Sequence, residues 1–521
     1  MRTTVSVLAL SALVFSAWTA GAATPATTLK VDTTHPGATI DRNIFGQFAE
    51  HLGQGIYGGI WVGKDSPIPN TRGIRNDVVA ALKDLKVPNV RWPGGCFADE
   101  YNWRRGIGPA DQRKPAMNSN WGGVIEPNSF GTDEFMDFVG QIGADAYVSV
   151  NVGSGTPTEA GEWLEYMTSS TEDGIGQERA KNGHAEPYKV AMLGLGNEAW
   201  GCGGSMSPAF YVSQMKMYAR FAHNYNPAQP MKRVAVGPDG AKTEYTEAVM
   251  QAWKDKTWAW DIEGISLHNY TIGSSWENKQ PATGFSEDQY ATLLKETVGM
   301  EDLVKTHSAI MDRYDPDKKV ALIVDEWGAW YAPTPGSNPG FLIQQNSQRD
   351  GVLAALNLNI FARHADRVRG ANIAQMINVL QAMILTDGAK MVLTPTYHVF
   401  HMYIPFQDAK LIPVTFDPGT YMRGNMVLPR FDVTAAKGKD GKIYLALVNL
   451  DPNHPLDVDA SVLGFAAKSA SGQTLSAPKL DSVNTFDAPN TVAPKAYSAK
   501  AKGGKLVLTL APESVTVVAL D

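Results

Sequence analysis

The stretch Val190-Ala191-Met192-Leu193-Gly194-Leu195-Gly196-Asn197-Glu198 decides the fold. Its apolar part is typical of a strand in a parallel sheet that is buried on both faces. The run ends in an amide and a carboxylic acid, and the glycine-rich residues 200–204 follow. Residues 320–324 repeat the apolar pattern and lead into Asp325-Glu326-Trp327-Gly328. We therefore predict two buried strands that each carry a glutamate at the carboxyl end.

A pair of glutamates at strand ends is what the hydrolysis of a glycosidic bond requires. One carboxyl group protonates the leaving oxygen, while the other attacks the sugar or activates water. Aromatic residues follow both glutamates, at Trp200 and Trp327. The alternative is that Glu198 and Glu326 merely cap the loop or helix that follows. Because the same pattern occurs twice, the sequence favours catalysis.

Apolar runs that end in glycine, asparagine or an acid occur eight times before residue 400. Alternation of strand and helix eight times over about 350 residues predicts an α/β fold, a (β/α)8 TIM barrel. Active sites of this fold lie at the carboxyl ends of the strands, so both glutamates belong to one predicted site. The predicted strands are 44–48, 87–92, 146–152, 190–195, 234–237, 264–268, 320–324 and 370–377, and the predicted helices are 75–85, 132–142, 207–225, 287–313 and 349–365.

The pattern of the chain changes after Tyr403, where helical periodicity gives way to strand alternation. Asp440-Gly441 is a strong hairpin signal between two alternating segments. We therefore predict a C-terminal antiparallel β-sandwich domain at 401–521, after a catalytic barrel at 44–400. Residues 23–43 contain another alternating segment, which we expect to add a strand to the sandwich.

The composition restricts the class of partner and the location. A net charge of −7 argues against nucleic acid and anionic membranes. Residues 1–22 combine Arg2, an apolar core and Ala20-Gly21-Ala22, which predicts a signal peptide cleaved near Ala22. We therefore expect a secreted or periplasmic protein. A membrane anchor is the alternative, and the shortness of the apolar stretch disfavours it.

The other predicted strand ends carry polar and aromatic groups that a barrel brings to the same face. Such groups suit a sugar, which has polar edges and apolar faces. Structural roles are open as well: Arg91 could form an ion pair, His51 could be a core histidine, and Gln375 could be a satisfied interior amide. A metal site is a further alternative, but no HExxH or similar spacing occurs. We therefore expect no metal and no cofactor.

Several motifs at these strand ends resemble one known family, the α-L-arabinofuranosidases of glycoside hydrolase family 51. The resemblance covers essentially the whole chain after the predicted signal peptide. The motifs that carry it are Glu50-His51-Leu52-Gly53, Arg91-Trp92-Pro93-Gly94-Gly95-Cys96, Trp121-Gly122-Gly123-Val124, Asn197-Glu198-Ala199-Trp200-Gly201-Cys202-Gly203-Gly204, Asp325-Glu326-Trp327 and Leu393-Thr394-Pro395-Thr396-Tyr397-His398.

The resemblance implies a retaining exo-glycosidase that releases terminal L-arabinofuranose from arabinoxylan, arabinan or their oligosaccharides. It implies Glu198 as the general acid/base and Glu326 as the nucleophile, and it implies a homo-oligomer, often a hexamer. Two positions depart from the family pattern: Arg105 replaces an acid, and Cys96 stands where some members have a sugar-binding Asn. The residues expected to bind the sugar or orient the catalytic pair are Glu50, Arg91, Cys96, Asn197, His268, Tyr270, Trp330 and Gln375.

Two other functions are compatible with a similar barrel fold. An endo-xylanase or endo-glucanase would have an open cleft instead of a closed pocket. A non-catalytic polysaccharide-binding protein would not require both glutamates, so their joint presence argues against it.

The two cysteines of the chain, Cys96 and Cys202, follow the second and fourth predicted strands. Loops above alternate barrel strands can meet over the cavity, and both loops are rich in glycine. We therefore expect the two residues to lie close together at the rim of the site, where they could form a disulfide. The alternative is two independent buried thiols.

Overall fold

The computed structural model describes residues 27–172, 174–502 and 505–521. At its centre, eight parallel strands form a closed barrel in chain order, and the eighth strand pairs with the first. The predicted (β/α)8 barrel is thereby confirmed. The predicted signal peptide at 1–22 lies outside the described residues. The barrel strands, numbered one to eight below, are Gly46–Phe48, Asn89–Trp92, Asp145–Val150, Val190–Leu195, Lys232–Ala235, Gly264–Thr271, Ala321–Ala329 and Val368–Ile373.

Helices follow the barrel strands and cover their outer face. The predicted helix 287–313 is in fact two helices that meet at Gly299. Three further helices between residues 157 and 254 were not predicted. The described part of the chain contains the α-helices Asn76–Asp84, Thr132–Ile142, Pro157–Thr168, Gly174–Lys181, Pro208–Phe221, Glu244–Lys254, Glu287–Val298, Met300–Tyr314, Gln348–Arg363 and Pro395–Met402.

The barrel interior changes character along the strands. Tyr147, Met192, Val234 and Ile323 form a buried cluster with Ala321 inside the barrel. Towards the carboxyl ends, buried charged and amide side chains replace the apolar ones. Charged groups are rarely buried unless other groups pair with them, so this change marks the end of the barrel at which function is expected.

The C-terminal part of the chain forms a ten-stranded sheet that folds around its own apolar core, which includes Leu445, Leu508 and Val518. The predicted β-sandwich is confirmed, with one difference: Thr27–Asp32 pairs parallel to Leu456–Leu463. In order across the sheet, the strands are Lys410–Ile412, Phe431–Lys437, Ile443–Asn449, Ser514–Leu520, Ser469–Leu475, Lys495–Lys502, Lys505–Leu510, Leu456–Leu463, Thr27–Asp32 and Val414–Phe416.

Short two-stranded ribbons lie outside the barrel and the ten-stranded sheet. The ribbon of Ala116–Asn118 and Val124–Glu126 contributes to the site described below, because its turn carries Trp121. The other ribbons are Asn70–Thr71 with Ile74–Arg75, Ile384–Asp387 with Lys390–Leu393, and Tyr421–Arg423 with Met426–Leu428.

Helix Gln348–Arg363 joins the barrel to the C-terminal sheet. It is buried along nearly its whole length, because strand seven lies on one side and strands of the sheet lie on the other. A helix that is covered all round must pair the polar groups that it carries. Asn359 and Arg363 do so, since both donate hydrogen bonds to Asp432 Oδ1, at 2.7 and 3.0 Å.

Candidate active site

Glu326 lies inside strand seven, where it stands opposite His268 of strand six. Each of its carboxylate oxygens accepts one hydrogen bond. Arg91 Nη1 donates to Oε1 at 2.7 Å, and the hydroxyl of Tyr270 donates to Oε2 at 2.7 Å. Only 6% of the side chain is exposed. Two donors, one from strand two and one from strand six, therefore fix this carboxylate in position.

Arg91 connects three strands of the barrel from its place on strand two. Besides Glu326, its guanidinium donates to Asn197 Oδ1 at 2.6 Å, and its Nε lies 3.6 Å from Asp325 Oδ2. Burial disfavours the charged form, but the negative charges of Asp325 and Glu326 outweigh burial and raise the pKa of Arg91. The arginine remains a buried cation beside the two acids. Its fork-shaped donor array suits this bridging role.

Glu198 lies beyond the end of strand four, in a left-handed backbone conformation with a φ of 36°. Residues other than glycine adopt this conformation rarely. Its Oε1 lies 3.0 Å from His268 Nδ1, and 17% of its side chain is exposed. Burial raises the pKa of Glu198; the hydrogen bond with His268 opposes this effect, and the charge of Glu326 adds to it. The environment therefore favours the protonated acid.

His268 lies between the acids of the site. Its Nδ1 is also 3.5 Å from Glu326 Oε1, and its Nε2 is 3.1 Å from Asp325 Oδ1. Burial disfavours the imidazolium, but the charge of Glu326 and the contact with Asp325 raise the pKa of His268 to about 10. At neutral pH the ring is therefore a cation with both nitrogens protonated.

Asp325 contacts both cations of the same cluster, Arg91 and His268. Burial disfavours its ionised form, yet Arg91 and His268 keep the pKa of Asp325 below its ordinary value. The hydroxyl of Tyr147 donates to its Oδ2 at 2.7 Å. No role was predicted for Asp325, although it directly precedes Glu326 in the sequence.

Glu50 collects donors from four directions at the end of strand one. Its Oε1 accepts hydrogen bonds from the backbone N–H groups of Gly95 and Phe97 and from Trp121 Nε1, and its Oε2 accepts one from Gln375 Nε2. Burial and the charge of Glu326 raise the pKa of Glu50 to about 7. The other amide atom, Gln375 Oε1, is buried without a partner in the described part of the chain. A ligand hydroxyl would satisfy it.

Asp99 is a second buried acid at the site for which no role was predicted. It accepts hydrogen bonds from the backbone N–H groups of Val152 and Gly153 at 2.8 Å and of Asn197 at 2.9 Å. Burial outweighs these bonds and raises the pKa of Asp99 to about 7. The side chain joins the ends of strands three and four, and so positions the segment that carries Glu198. A cluster of backbone donors from separate loops has no signature in the sequence.

Cys96 and Cys202 form a disulfide with a Cα–Cα distance of 5.5 Å. Cys202 Sγ lies 3.4 Å and Cys96 Sγ lies 4.0 Å from Glu198 Oε2. Asn197 Nδ2 lies 3.7 Å from Cys202 Sγ. The bridge therefore touches the Glu198 side of the site.

The remaining residues singled out in the sequence lie at different distances from the chemistry. Trp330 packs edge-to-face on Tyr270, with ring centroids 4.9 Å apart. His51 faces away: its Nδ1 lies 2.9 Å from Glu126 Oε2, and its Nε2 accepts a hydrogen bond from Trp92. Arg105 is exposed and lines a cavity of about 320 Å³ that none of the site glutamates lines.

Two groups of side chains among the described residues have the spacing of a metal site, but in one of them the sulfurs of Cys96 and Cys202 are bonded to each other. In the other, one atom each of Glu198, His268 and Glu326 lies within 4.8 Å of the others. A metal ligand must offer a lone pair, and an imidazolium has none. With its pKa at about 10, His268 would have to lose a proton before it could bind a metal. The arrangement fits a charge-paired acid cluster better than a cation site.

Comparison with known proteins identifies relatives over nearly the full length. Residues 325–514 match the family described as the alpha-L-arabinofuranosidase C-terminal domain, and residues 81–278 match the alpha-L-arabinofuranosidase 1 domain. A Bacteroides ovatus protein named intracellular exo-alpha-L-arabinofuranosidase is 44% identical, over 92% of this chain and 93% of its own.

This relative corrects the predicted location. We expected a secreted or periplasmic protein, but the Bacteroides ovatus enzyme is named intracellular, so that prediction is wrong. The prediction used only the composition of residues 1–22, which lie outside the described residues. Within the described residues, no helix has the length and apolar character needed to cross a membrane.

Two solved structures share the fold along the chain. The crystal structure of the family 51 arabinofuranosidase from Xanthomonas axonopodis pv. citri is 48% identical, with a TM-score of 0.92 over 95% of this chain and 100% of its own. The arabinose complex of the Thermotoga maritima alpha-L-arabinofuranosidase is 32% identical, with a TM-score of 0.80 over 95% and 99% of the two chains. The chain is therefore a glycoside hydrolase that belongs to the α-L-arabinofuranosidases of family 51.

Proposed function

We propose that the protein is a retaining, exo-acting enzyme that releases terminal L-arabinofuranose from arabinoxylan, arabinan or their oligosaccharides. Glu326 is the nucleophile and Glu198 is the general acid/base. The family membership supports the sugar specificity. The arrangement of the two glutamates supports the mechanism.

The spacing of the two carboxylates is the observation that carries this proposal. An oxygen of Glu198 and an oxygen of Glu326 lie within 4.8 Å of each other. Retaining glycosidases hold their carboxyl groups about 5–5.5 Å apart, whereas inverting enzymes leave about 6.5–9.5 Å for a water molecule. The observed separation supports direct attack by a carboxylate.

The first step forms a glycosyl-enzyme. A carboxylate oxygen of Glu326 attacks the anomeric carbon, while Glu198 transfers its proton to the glycosidic oxygen and the C–O bond breaks. Burial and the charge of Glu326 raise the pKa of Glu198 and so favour the protonated form that this transfer requires. Arg91 and Tyr270 orient the attacking carboxylate through their hydrogen bonds to it.

The second step releases the sugar with its original anomeric configuration. Once the leaving group has departed, Glu198 is ionised and takes a proton from a water molecule, whose oxygen attacks the anomeric carbon. The bond to Glu326 then breaks and the carboxylate is restored. The charge on Glu326 is lost in the intermediate, and this change lowers the pKa of its neighbour at the stage when a base is required.

The remaining groups of the site suit the hydroxyl groups of the bound sugar. The Glu50 carboxylate already gathers four donors, and Gln375 beside it presents a buried oxygen without a partner among the described residues. A hydroxyl group that donates to this oxygen would relieve the cost of its burial. We assign both residues to recognition of the terminal sugar, together with Asn197, His268 and Cys96 at the rim.

The test is a panel of 4-nitrophenyl glycosides with the purified protein. We expect turnover of the α-L-arabinofuranoside and little or none of the β-xyloside and β-glucoside. Proton NMR at early times should show the α anomer of arabinose as the first product. Preferential cleavage of an internal xylan or glucan bond would instead favour an endo-glycosidase. If the β anomer of arabinose were the first product, the retaining mechanism would be rejected.

The family resemblance also implies a homo-oligomer, for which a hexamer is our expectation. Light scattering on the eluted peak of a size-exclusion column measures the mass directly. A monomeric mass would reject this part of the proposal without affecting the chemistry.

A further inference from the structure

An aromatic row leads from the nucleophile to the solvent. Its members are Tyr270, Trp330 and Trp276, each in contact with the next. Tyr270 donates to Glu326 Oε2 at 2.7 Å and packs edge-to-face on Trp330 at 4.9 Å. Trp330 in turn packs edge-to-face on Trp276, with ring centroids 5.1 Å apart. The last ring is 54% exposed. The row therefore begins at the reacting atoms and ends in water.

The loop that carries Trp276 is fixed by buried hydrogen bonds. It connects strand six, which ends at Thr271, to helix Glu287–Val298. Glu296 accepts the backbone N–H of Gly273 at 2.7 Å, and Gln280 Nε2 donates to the carbonyl of Gly273 at 2.8 Å. Gln280 is itself held by Arg349 of the helix next to the barrel, at 3.0 Å. Because these hydrogen bonds already order the loop, little conformational entropy is lost when a ligand binds to the Trp276 ring.

Lys279 adds a polar group to the exposed ring. Its Nζ lies 4.6 Å from the centre of the Trp276 ring and 5.7 Å from that of Trp330. It donates one hydrogen bond to the carbonyl of Trp276 at 2.7 Å. An ammonium group has three N–H donors, so two can serve a ligand. A flat apolar face beside free donors matches a sugar ring, which has apolar C–H faces and hydroxyl edges.

We propose that Trp276 and Lys279 form a binding subsite for a neutral sugar residue of the leaving group. The inference rests on the proposed exo action: if the site around Glu326 takes one terminal sugar, a contact further out meets the rest of the glycan. The subsite would let the protein favour arabinose attached to a polymer backbone over arabinose attached to a small aglycone.

A second exposed tryptophan shows what an unrelated surface ring looks like. Trp258 is 90% exposed, and its partner is Arg220, 5.7 Å from the ring centre. No other aromatic ring packs on it within the described residues. Single exposed apolar side chains need no functional explanation. Trp276 differs because its ring contacts lead to the nucleophile.

The experiment compares two substrates and three variants. The substrates are 4-nitrophenyl α-L-arabinofuranoside, whose aglycone is one ring, and xylotetraose with a single α-L-arabinofuranosyl branch. The variants are Trp276→Ala, Trp276→Phe and the matched control Trp258→Ala. Turnover of the nitrophenyl substrate by the unmodified protein tests the proposed function separately, because that substrate is too short to need the subsite.

We expect Trp276→Ala to lose about tenfold in kcat/KM on the branched oligosaccharide, the size of a lost stacking contact. On the nitrophenyl substrate, the loss should stay below about twofold, because the groups at the reacting bond are unchanged. Trp276→Phe should restore most of the oligosaccharide activity, and Trp258→Ala should match the unmodified protein on both substrates.

Equal losses of the Trp276→Ala variant on both substrates would show that Trp276 only supports Trp330. No loss on the oligosaccharide would show that Trp276 does not bind the leaving group. Either result overturns the inference.

Discussion

The ends of strands four and seven share one sequence pattern and differ in structure. Both have an apolar run, a polar residue, a glutamate and an aromatic residue nearby. Glu326 remains within its strand and accepts hydrogen bonds from Arg91 and Tyr270. Glu198 lies past its strand, in a left-handed conformation beside His268 and the disulfide. Similar sequences have thus produced one fixed carboxylate and one partly exposed acid.

The difference shows that the chemical role is set by partners from other strands. An arginine and a tyrosine fix the carboxylate of Glu326 in the position that the proposed attack requires. Glu198 has a histidine on one oxygen and the disulfide near the other, and burial raises its pKa. On the proposed mechanism, these different surroundings allow one site to provide both a nucleophile and an acid.

The largest expected effect comes from removal of the fixed carboxylate. Glu326→Ala should lose at least about 10³-fold in kcat on every arabinofuranoside, because no covalent intermediate can form. Added azide should then attack from the vacated face and give the β-arabinofuranosyl azide, which NMR identifies. Turnover close to that of the unmodified protein, or an α-azide product, would contradict the assignment.

Removal of the acid should have a smaller effect that depends on the leaving group. Glu198→Ala should lose about 10²–10³-fold on an arabinosyl xylo-oligosaccharide, but far less on a 2,4-dinitrophenyl arabinofuranoside, which departs without protonation. Azide should here displace Glu326 from the glycosyl-enzyme and give the α-azide. Equal losses on the two substrates would show that Glu198 is not the proton donor.

The two environments also predict the shape of the pH profile. Glu198 must be protonated for the first step, so kcat/KM should fall as the pH rises through its pKa. This limb should lie above the ordinary value of 4.5, because burial and the charge of Glu326 raise the pKa. In Glu198→Ala, the limb should vanish with the dinitrophenyl substrate. A limb at an unchanged position in this variant would assign it to another group, such as Glu50, whose pKa is about 7.

The sequence predicted the barrel well because its strands are buried on both faces. Each of the eight predicted strands overlaps an observed barrel strand. Strands six and seven continue further than predicted, to Thr271 and Ala329, because an apolar run stops at the first polar residue while the strand does not. The extra residues include Tyr270 and Glu326. An apolar run therefore fails to mark the end of a strand where polar side chains of the site replace the apolar ones in the barrel interior.

Some helices and some site residues were not predicted, and the reasons differ. Helix Pro157–Thr168 has a detectable start, because Thr156 and Glu159 form a capping box with proline at the first position. Asp99 could not be found in this way, because its partners Val152, Gly153 and Asn197 come from two other strand ends. Such a role requires the three-dimensional structure.

The disulfide offers a way to disturb the Glu198 side alone. It closes a loop with a sequence separation of 106 residues, so its removal in a Cys96→Ser, Cys202→Ser double variant should cost about 2–4 kcal/mol of the free energy of unfolding. Because the sulfurs touch Glu198, we expect a loss in kcat of less than about tenfold, greater for poor leaving groups than for good ones. Denaturant unfolding and the two-substrate comparison measure these effects.

Thiol titration of the unfolded, unreduced protein provides the control for this experiment. Two reactive thiols per chain would show that the bridge is absent in solution. In that case the double variant should unfold like the unmodified protein. A loss in kcat of equal size on both substrates would also contradict a specific effect on Glu198.

The smallest expected effect is that of chelation, and it tests how the two glutamates are held together. Glu198, His268 and Glu326 have the spacing of a metal site, but the acids raise the pKa of His268 to about 10 and so keep its lone pair protonated. A proton on the histidine already supplies the positive charge that a metal would bring. Exhaustive dialysis against EDTA should therefore leave kcat/KM unchanged. A loss that zinc restores would mean that a cation, and not the imidazolium, holds the acid and the nucleophile together.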